Sequence, residues 1–255
     1  MRFVKWCEDH IYFSLGACLI VGAALRIYYR FLVTHNTRDE ATYLIWIDKL
    51  AERSIDLEPR AHRLLVYVGV CFKRLGWSVE YSLRCFNIIA SLAWLIVMYL
   101  IGKSIFGTKK AGLACMCLAG CAPYMIRISG QIMREPLYML FFSSGVLCAI
   151  QIVRGRKIRL CAFTLSVLTA FAIWVRDEGF ELIILTALAW LFRLVLQLRS
   201  KERLQDDLKE LFRGAGGYLL GILLATLFFY LVFPELIIAI GQSFSFATRQ
   251  IREII

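Results

Sequence analysis

The side chains that could do chemistry in this chain are charged groups at the ends of long apolar segments. Asp39 and Glu40 form an acidic pair just beyond the first of these segments and open an amphipathic stretch that runs to Glu52. The other charged candidates in such positions are Arg127, Arg134, Glu135, Arg176, Asp177 and Glu178. A carboxylate at a bilayer surface can take a proton from the hydroxyl group of a substrate. The acidic pair is therefore the candidate base, and the other side chains are candidates for substrate binding.

The arginines among these candidates are suited to a phosphate group. A guanidinium stays charged and binds phosphate oxygens through paired N–H donors. Ionisable groups close to a membrane interior are costly, so a functional role is the default interpretation for them. A base and several arginines facing one leaflet would suit a substrate with a lipid tail and a phosphate head. The phosphate would then be the leaving group, and the arginines would stabilise its developing charge.

A structural role is an alternative for each of these residues. Asp39 could cap the helix that follows it, at the positive end of the helix dipole. Arg134 and Glu135 precede a proline, as residues at a helix start often do. Arg127 could extend its charged end to the lipid headgroups. The run of Arg, Asp and Glu at 176–178 could neutralise itself within a short loop.

The composition indicates a protein that crosses the membrane several times. The chain has 255 residues, of which 60% are hydrophobic and 19% charged, with a mean hydropathy of +0.66. The apolar residues gather into segments close to the roughly 20 residues that a membrane-spanning helix needs. The net charge of +11 falls in clusters between these segments and does not form the basic stripe of a nucleic-acid surface. We therefore expect an all-α polytopic protein that contacts membrane lipids and no nucleic acid.

The nine cysteines do not predict a metal site or a disulfide framework. Most of them lie inside apolar segments, and their number is odd. Zinc sites usually take paired ligands from turns, whereas cysteines within apolar helices pack as small apolar residues. Asp39 and Glu40 do offer hard oxygen ligands, so a divalent ion stays an open alternative. We assign no residue to a metal and name no certain cofactor.

Seven apolar segments are long enough, or nearly so, to cross a membrane as helices. Their predicted limits are 10–33, 83–105, 111–125, 136–153, 160–175, 180–198 and 216–233. The first ends in aromatic and arginine residues, which favours a retained anchor over a cleaved signal peptide. The short loops after the second, fourth and sixth segments are rich in Lys and Arg, so the positive-inside rule makes them cytoplasmic. The N-terminus is then cytoplasmic and the loop 34–82 extracytoplasmic, although the basic residues of that loop leave the reverse orientation open.

The loop 34–82 is the largest part predicted to lie outside the membrane. Apolar residues at helical spacing predict a surface helix that includes Tyr43 and Ile47, and a second helix that stops at Gly76. Residues 199–213 alternate charges with leucines and predict a cytoplasmic amphipathic connector. Because no repeat or soluble domain is visible, we expect residues 1–255 to form one transmembrane module. The apolar positions of the second surface helix are Leu64, Leu65, Val68, Cys71, Phe72 and Leu75.

Several motifs resemble those of a known family of membrane enzymes. The run RDEATY at 38–43 is similar to the first outer loop of GT-C glycosyltransferases, in the branch of the protein O-mannosyltransferases and the lipid A aminoarabinose transferases. The run ISGQIMREPLY at 128–138 resembles the loop before that family's fourth span, and VRDEG at 175–179 resembles a stretch before the sixth. The match is diffuse but in order, and it covers most of the chain. These enzymes use sugars linked to polyprenyl phosphate as donors.

The resemblance implies roles for individual residues. Asp39 would be the general base and Glu40 its neighbour, while Arg134, Glu135 and Arg176 would contact the phosphate and sugar of the donor. Arg127, Asp177 and Glu178 are further donor-binding candidates because they lie on the same face. Tyr43 and His62 are candidates for contact with the acceptor or with the loop. His62 lies in the stretch EPRAHR at 58–63, where the family usually has a proline-rich aromatic motif.

The predicted function is transfer of a sugar from a polyprenyl-phosphate donor to an acceptor on the extracytoplasmic face. Inversion at the sugar is expected because only one strong base candidate is present. The chain ends soon after the last predicted span, whereas family members normally continue. The alternative is therefore a non-catalytic GT-C-like module that binds polyprenyl-phosphate lipid or a partner membrane subunit. A transporter is disfavoured because the predicted spans contain almost no carboxylates. The expected location is a bacterial inner membrane or its equivalent.

Overall fold

The protein is built from helices throughout the part that the computed structural model describes, residues 10–32, 37–52, 63–199 and 204–232. No β-strand occurs in these ranges. The helices are α1 (Ile11–Leu32), α2 (Arg38–Ala51), α3 (Leu64–Arg74), α4 (Val79–Phe106), α5 (Lys109–Gly120), α6 (Pro123–Ser129), α7 (Glu135–Val153), α8 (Ile158–Val175), α9 (Glu181–Arg199) and α10 (Leu204–Val232). The prediction of an all-helical chain with long apolar helices is confirmed.

Within the described residues, five helical segments are long and apolar enough to cross a membrane. Four of them are α1, α4, α7 and α8, and the fifth runs from Asp177 through a short 3₁₀ turn to Leu196 in α9. These five correspond to the first, second, fourth, fifth and sixth predicted spans. The third and seventh predicted spans, 111–125 and 216–233, have a different structure.

The segment predicted as the third span is not one straight helix. It is divided between α5 and α6, whose axes differ by 63°. The break falls at Cys121 and Ala122, and Pro123 begins α6. Proline is favoured at a helix start because it has no N–H to leave unpaired there and its φ angle is already helical. The pair is either one broken span or a re-entrant segment, so by length and composition the described ranges contain five or six candidate spans.

The predicted connector and the seventh predicted span belong largely to one helix. α10 contains residues 204–213 of the connector and continues to Val232 without interruption. Its apolar stretch, Phe212–Phe228, is shorter than the roughly 20 residues that a span requires. α10 lies very close to α8, because a Cβ atom at Gly221 would stand 1.9 Å from the Ser166 Oγ atom. Within residues 204–232, α10 is thus a long helix packed on α8, and a seventh span is not established.

The two predicted surface helices are present as α2 and α3. They pack on the start of α4 through a shared core that includes Ile47, Leu65 and Leu83, all fully buried. The predicted face of α3 is confirmed in part. Leu65 is buried, and Leu64, Val68 and Phe72 pack against core clusters. Cys71 and Leu75 are exposed, and the side chains at 66, 67 and 70 are buried as well. The reason is that α3 contacts α2 on one side and α8 on another, so its apolar surface is wider than a single stripe. The stop at Gly76 is confirmed by its left-handed φ of 75°.

Polar side chains join the long helices at positions inside the bundle. Arg26 is fully buried in α1 and donates from Nε to Ser91 Oγ of α4 at 2.8 Å and from Nη1 to the carbonyl of Gly22 at 2.9 Å. Trp94 of α4 donates to Ser143 of α7 at 3.0 Å. Hydrogen bonds between helices favour association where apolar side chains gain little over lipid contact. Arg26 therefore joins α1 to α4 by a hydrogen bond. The sequence had indicated only that a cation lies near the end of the first predicted span.

Candidate functional site

Asp39 and Glu40 lie in the first turn of α2 but have opposite environments. Thr37 is the N-cap residue: its hydroxyl accepts from the Glu40 N–H at 3.3 Å, and the Glu40 carboxylate accepts from the Thr37 N–H at 2.8 Å. This reciprocal arrangement is a capping box, which pairs two amides that the helix cannot satisfy. The cap is therefore Thr37 and not Asp39. Asp39 is left exposed, and no hydrogen bond joins its carboxylate to another residue in the described ranges.

The Glu40 carboxylate is fully buried and holds three parts of the protein together. Its Oε1 atom accepts from the backbone N–H of Ile132 at 2.9 Å and lies 3.3 Å from Nη2 of Arg84 in α4. The same Arg84 nitrogen donates to Glu80 at 2.8 Å, and Arg84 Nη1 donates to the carbonyl of Gly130 at 3.3 Å. Because Glu40 is occupied by structural partners, it positions the start of α2 and with it Asp39.

A second group of charges forms where α8 ends and α7 begins. Arg176 donates from Nε and Nη2 to the two carboxylate oxygens of Glu178, at 2.9 and 2.5 Å. Its Nη1 atom donates to Glu135 at 3.3 Å, and its guanidinium lies 5.5 Å from the ring centre of Tyr138. The hydrogen bonds to Glu178 raise the pKa of Arg176 above its ordinary value, so Arg176 remains charged.

The turn that carries this group is set by a glycine. Residues 177–180 form one 3₁₀ turn directly after α8, and the N–H of Gly179 donates to the carbonyl of Arg176 at 3.0 Å. A Cβ atom at Gly179 would stand 2.3 Å from the backbone nitrogen of Ile173, closer than a side chain can approach. The turn therefore folds tightly against the last turn of α8 and directs the charges at 176–178 towards α7 and α3.

Arg63 is a site residue that the sequence did not indicate. It immediately precedes α3, is almost fully buried, and donates from Nη2 to both carboxylate oxygens of Asp177 at 2.8 and 2.7 Å. Asp177 itself is exposed. Hydrogen bonds between a guanidinium and a carboxylate are among the strong ones in proteins. This pair ties the surface helices to the turn at 177–180 across 114 positions of sequence, a separation that no local pattern can report.

Tyr43 of α2 belongs to the core cluster that also contains Ile132. Its side chain is buried, and burial is the largest of the effects that raise the pKa of its hydroxyl above the usual 10. The carboxylates of Glu135 and Asp39 raise this pKa further, whereas the cations Arg134 and Arg63 lower it. Charges act on a hydroxyl in this way only from nearby positions. The hydrogen bond between Glu40 and the N–H of Ile132 brings the start of α2, with Asp39 and Tyr43, next to the segment that leads to Arg134 and Glu135.

Arg134 and Arg127 differ in their relation to this site. Arg134 is half-buried at the N-cap position of α7, and its charge acts on both Tyr43 and Glu178. No side-chain hydrogen bond or ion pair links Arg134 to another residue in the described part of the chain. Arg127 is exposed on α6 and makes no such contact either, as expected for a cation reaching the headgroups. His62 lies outside the described residues. The structure thus brings Arg134 into the site and leaves Arg127 apart from it.

The acidic pair does not form a chelating site for a metal ion. In the described ranges, no three His, Cys, Asp or Glu side chains come together as metal ligands would. Glu40 already accepts hydrogen bonds from two backbone amides and pairs with Arg84, and it is buried while Asp39 is exposed. A divalent ion held by both carboxylates would have to displace these partners. Asp39 alone remains available as an oxygen ligand.

Comparison of the chain with protein-family models, with curated proteins and with solved structures gave no match. The chemical interpretation of the site therefore depends on its geometry. That geometry consists of an exposed carboxylate, a buried tyrosine on the same helix, and an arginine without a bonded partner among the described residues. A positively charged group beside a carboxylate at the end of a bundle of apolar helices suits a substrate that is both anionic and lipid-linked.

Proposed function

We propose that the protein is a membrane glycosyltransferase that moves a sugar from a polyprenyl-phosphate donor to a hydroxyl acceptor. The observation that carries this proposal is the 2.9 Å hydrogen bond between the Ile132 N–H and Glu40, which holds the start of α2, with Asp39, against the segment that leads to Arg134. Each of the two side chains is free of bonded partners in the described ranges, so each is available to a substrate. The resemblance of the runs at 38–43 and 128–138 to GT-C glycosyltransferases supports the same assignment.

The reaction would be a direct displacement at the anomeric carbon of the sugar. Asp39 accepts the proton of the acceptor hydroxyl as its oxygen attacks that carbon. The bond between this carbon and the phosphate oxygen breaks, and polyprenyl phosphate leaves with the bonding electron pair. Arg134 stabilises the negative charge that grows on the phosphate. One displacement inverts the configuration of the sugar.

The other charged residues hold these two in place. Glu40 fixes the start of α2 through Arg84 and Ile132, and Arg63 fixes α3 through Asp177. Arg176 is paired with Glu178 and Glu135, so it orders the start of α7 next to Arg134. We therefore assign Glu40, Arg63, Arg176, Asp177 and Glu178 to positioning. The Oε2 atom of Glu135 is buried without a hydrogen-bond partner among the described residues, which makes Glu135 the candidate for a sugar hydroxyl.

The proposed active face is extracytoplasmic, with the N-terminus in the cytoplasm. Support comes from the basic loops at the other end of the bundle, where residues 154–159 contain four Lys or Arg residues and no acid. The donor would approach with its polyprenyl tail in the bilayer and its phosphate at the outer surface. This orientation belongs to a bacterial inner membrane or an equivalent membrane.

The test is the substitution Asp39→Asn in the full-length protein, assayed for transfer from polyprenyl-phosphate mannose and from polyprenyl-phosphate aminoarabinose. Loss of a general base lowers turnover by about 100–10,000-fold. Because Asp39 is exposed and unbonded, the melting temperature and membrane insertion should not change. The matched control is Asp48→Asn on the same helix, where an exposed carboxylate pairs with Lys73. Full activity of Asp39→Asn would overturn the assignment of the base.

The alternative is a non-catalytic module that binds polyprenyl phosphate or a partner membrane subunit. Under this alternative the wild-type chain transfers no sugar by itself, and Asp39→Asn binds polyprenyl phosphate as well as the wild type does. Transfer by the isolated wild-type chain excludes the alternative. Co-purification with one other integral membrane protein, together with no transfer by the isolated chain, favours it over the enzyme.

A further inference from the structure

A groove of about 640 Å³ opens between the ends of α4, α7 and α9 that lie farthest from the candidate site. Its walls include Ile105 of α4, Val153 of α7, and Leu188 and Phe192 of α9. Among the described residues, Arg154, which follows α7, is the one charged side chain that lines it. The volume lies within the range of about 300–1,000 Å³ that is usual for small-ligand sites. An apolar groove with a cation at one end is complementary to a lipid whose apolar chain carries an anionic head.

Cations surround the mouth of this groove. Arg154 is exposed and donates from Nη2 to the carbonyl of Ile105 at 3.2 Å, which holds it across the gap between α7 and α4. Arg193 of α9 donates at 3.2 Å to the carbonyl of Val153, the residue immediately before Arg154. Arg156 and Lys157 are exposed in the turn that follows. The loops 103–110 and 154–159 contain seven Lys or Arg residues and no Asp or Glu, so the segments next to the groove are basic.

We propose that this groove binds an anionic glycerophospholipid of the leaflet opposite to the candidate site. Its acyl chain would lie along Leu188 and Phe192, and its phosphate would contact Arg154. A guanidinium bonds phosphate oxygens through paired N–H groups, and basic pockets between membrane-spanning helices recognise anionic headgroups. A zwitterionic lipid also has a phosphate, but its headgroup cation would meet Arg193, Arg156 and Lys157. The same cations therefore select against phosphatidylcholine.

The charge at the end of the groove favours a lipid with an anionic head over an apolar helix of another protein. Arg154 lines the groove beside apolar walls, and a phosphate gives this cation a counter-charge that an apolar helix lacks. The small side chains of Ala149 and Ala189 line the groove, and an extended acyl chain can lie over them. The proposed occupant is thus a membrane phospholipid, and it is independent of the sugar-transfer reaction.

The experiment is native mass spectrometry of the full chain in mild detergent, titrated with phosphatidylglycerol and with phosphatidylcholine. We expect the first bound phosphatidylglycerol to be held at least tenfold more tightly than phosphatidylcholine. Arg154→Gln should remove most of this preference, whereas Arg159→Gln, which changes an exposed cation outside the groove, should keep it. Equal binding of the two lipids by the wild type would overturn the proposal, as would equal effects of the two substitutions.

A second pair of variants tests the apolar wall of the groove and leaves its charge unchanged. Leu188 and Ile184 are exposed residues one turn apart on α9, but only Leu188 lines the groove. Leu188→Trp should fill the groove and weaken phosphatidylglycerol binding at least fivefold, while Ile184→Trp should leave it unchanged. A melting temperature equal to that of the wild type shows that each variant is folded. A dimer that Leu188→Trp abolishes, without any preference for anionic lipid, would overturn the proposal in favour of self-association.

Discussion

Arg176 and Glu178 are joined through both oxygens of the carboxylate, although only two positions separate them in sequence. The edge of the guanidinium that could bind a phosphate is therefore already occupied, and its remaining nitrogen contacts Glu135. A ligand phosphate would have to displace a carboxylate to reach Arg176. Arg134 has no such competitor among the described residues. The two arginines thus have different tasks, although the sequence presents them as equivalent.

Arg134→Gln should weaken the binding of polyprenyl phosphate by about 10–100-fold, since a hydrogen bond to a charged group contributes about 1.5–3 kcal/mol. The measurement is direct binding of polyprenyl phosphate without a sugar to the purified full chain. Arg127→Gln is the matched control, because Arg127 is an exposed cation on the neighbouring helix α6 and should not affect the affinity. An equal loss of affinity in the two variants would mean that binding depends on the overall charge of the protein and not on the position of Arg134.

Glu40→Gln should lower the melting temperature by about 5–10 °C, because removal of one partner of a buried ion pair is strongly destabilising. The decrease in melting temperature is limited because Arg84 keeps its contact with Glu80. Glu80→Gln is the control. Glu80 contacts the same arginine but is partly exposed, so this substitution should lower the melting temperature by less than Glu40→Gln does. Thermal unfolding in detergent measures both variants. A larger effect of Glu80→Gln would contradict the structural role assigned to Glu40.

Tyr43 should make the stability of the protein decrease at high pH. Burial raises the pKa of Tyr43 in the folded state above the usual 10. Above pH 10 the unfolded chain therefore loses a proton that the folded chain keeps, and the free energy of unfolding falls as the pH rises. Tyr43→Phe cannot lose this proton. The difference in melting temperature between wild type and Tyr43→Phe should shift in favour of the variant between pH 9 and 11, and no shift would show that the hydroxyl reaches water.

The elements of this fold that follow from local patterns were predictable from the sequence. The amphipathic spacing of α2 and the left-handed stop at Gly76 depend on residues a few positions apart. The break between α5 and α6 was not evident, because apolar residues continue across Cys121 and Ala122 and the proline alone does not fix a bend. The buried face of α3 was predicted only in part, since it depends on the contacts of α3 with both α2 and α8.

The partners within the candidate site could not be inferred in the same way. The positions of Asp39 and Arg134 at the ends of apolar segments marked them as candidates. The roles of Glu40 and Arg63 depend on Ile132 and Asp177, which lie 92 and 114 positions away. Hydrophobic periodicity carries no information at that separation. The distinction between an exposed Asp39 and a buried Glu40 therefore required the folded structure.

The long separation between Glu40 and its partners also imposes an order on biosynthesis. A ribosome adds about 5–20 residues per second, so Ile132 follows Glu40 by roughly 5–18 s. Until Arg84 and Ile132 arrive, burial of the Glu40 carboxylate would leave a charge uncompensated in a region of low dielectric. The nascent α2 segment must therefore stay hydrated while four later helices form. Docking of α2 is then a late event of assembly, and Asp39 reaches its final position only after those helices have formed.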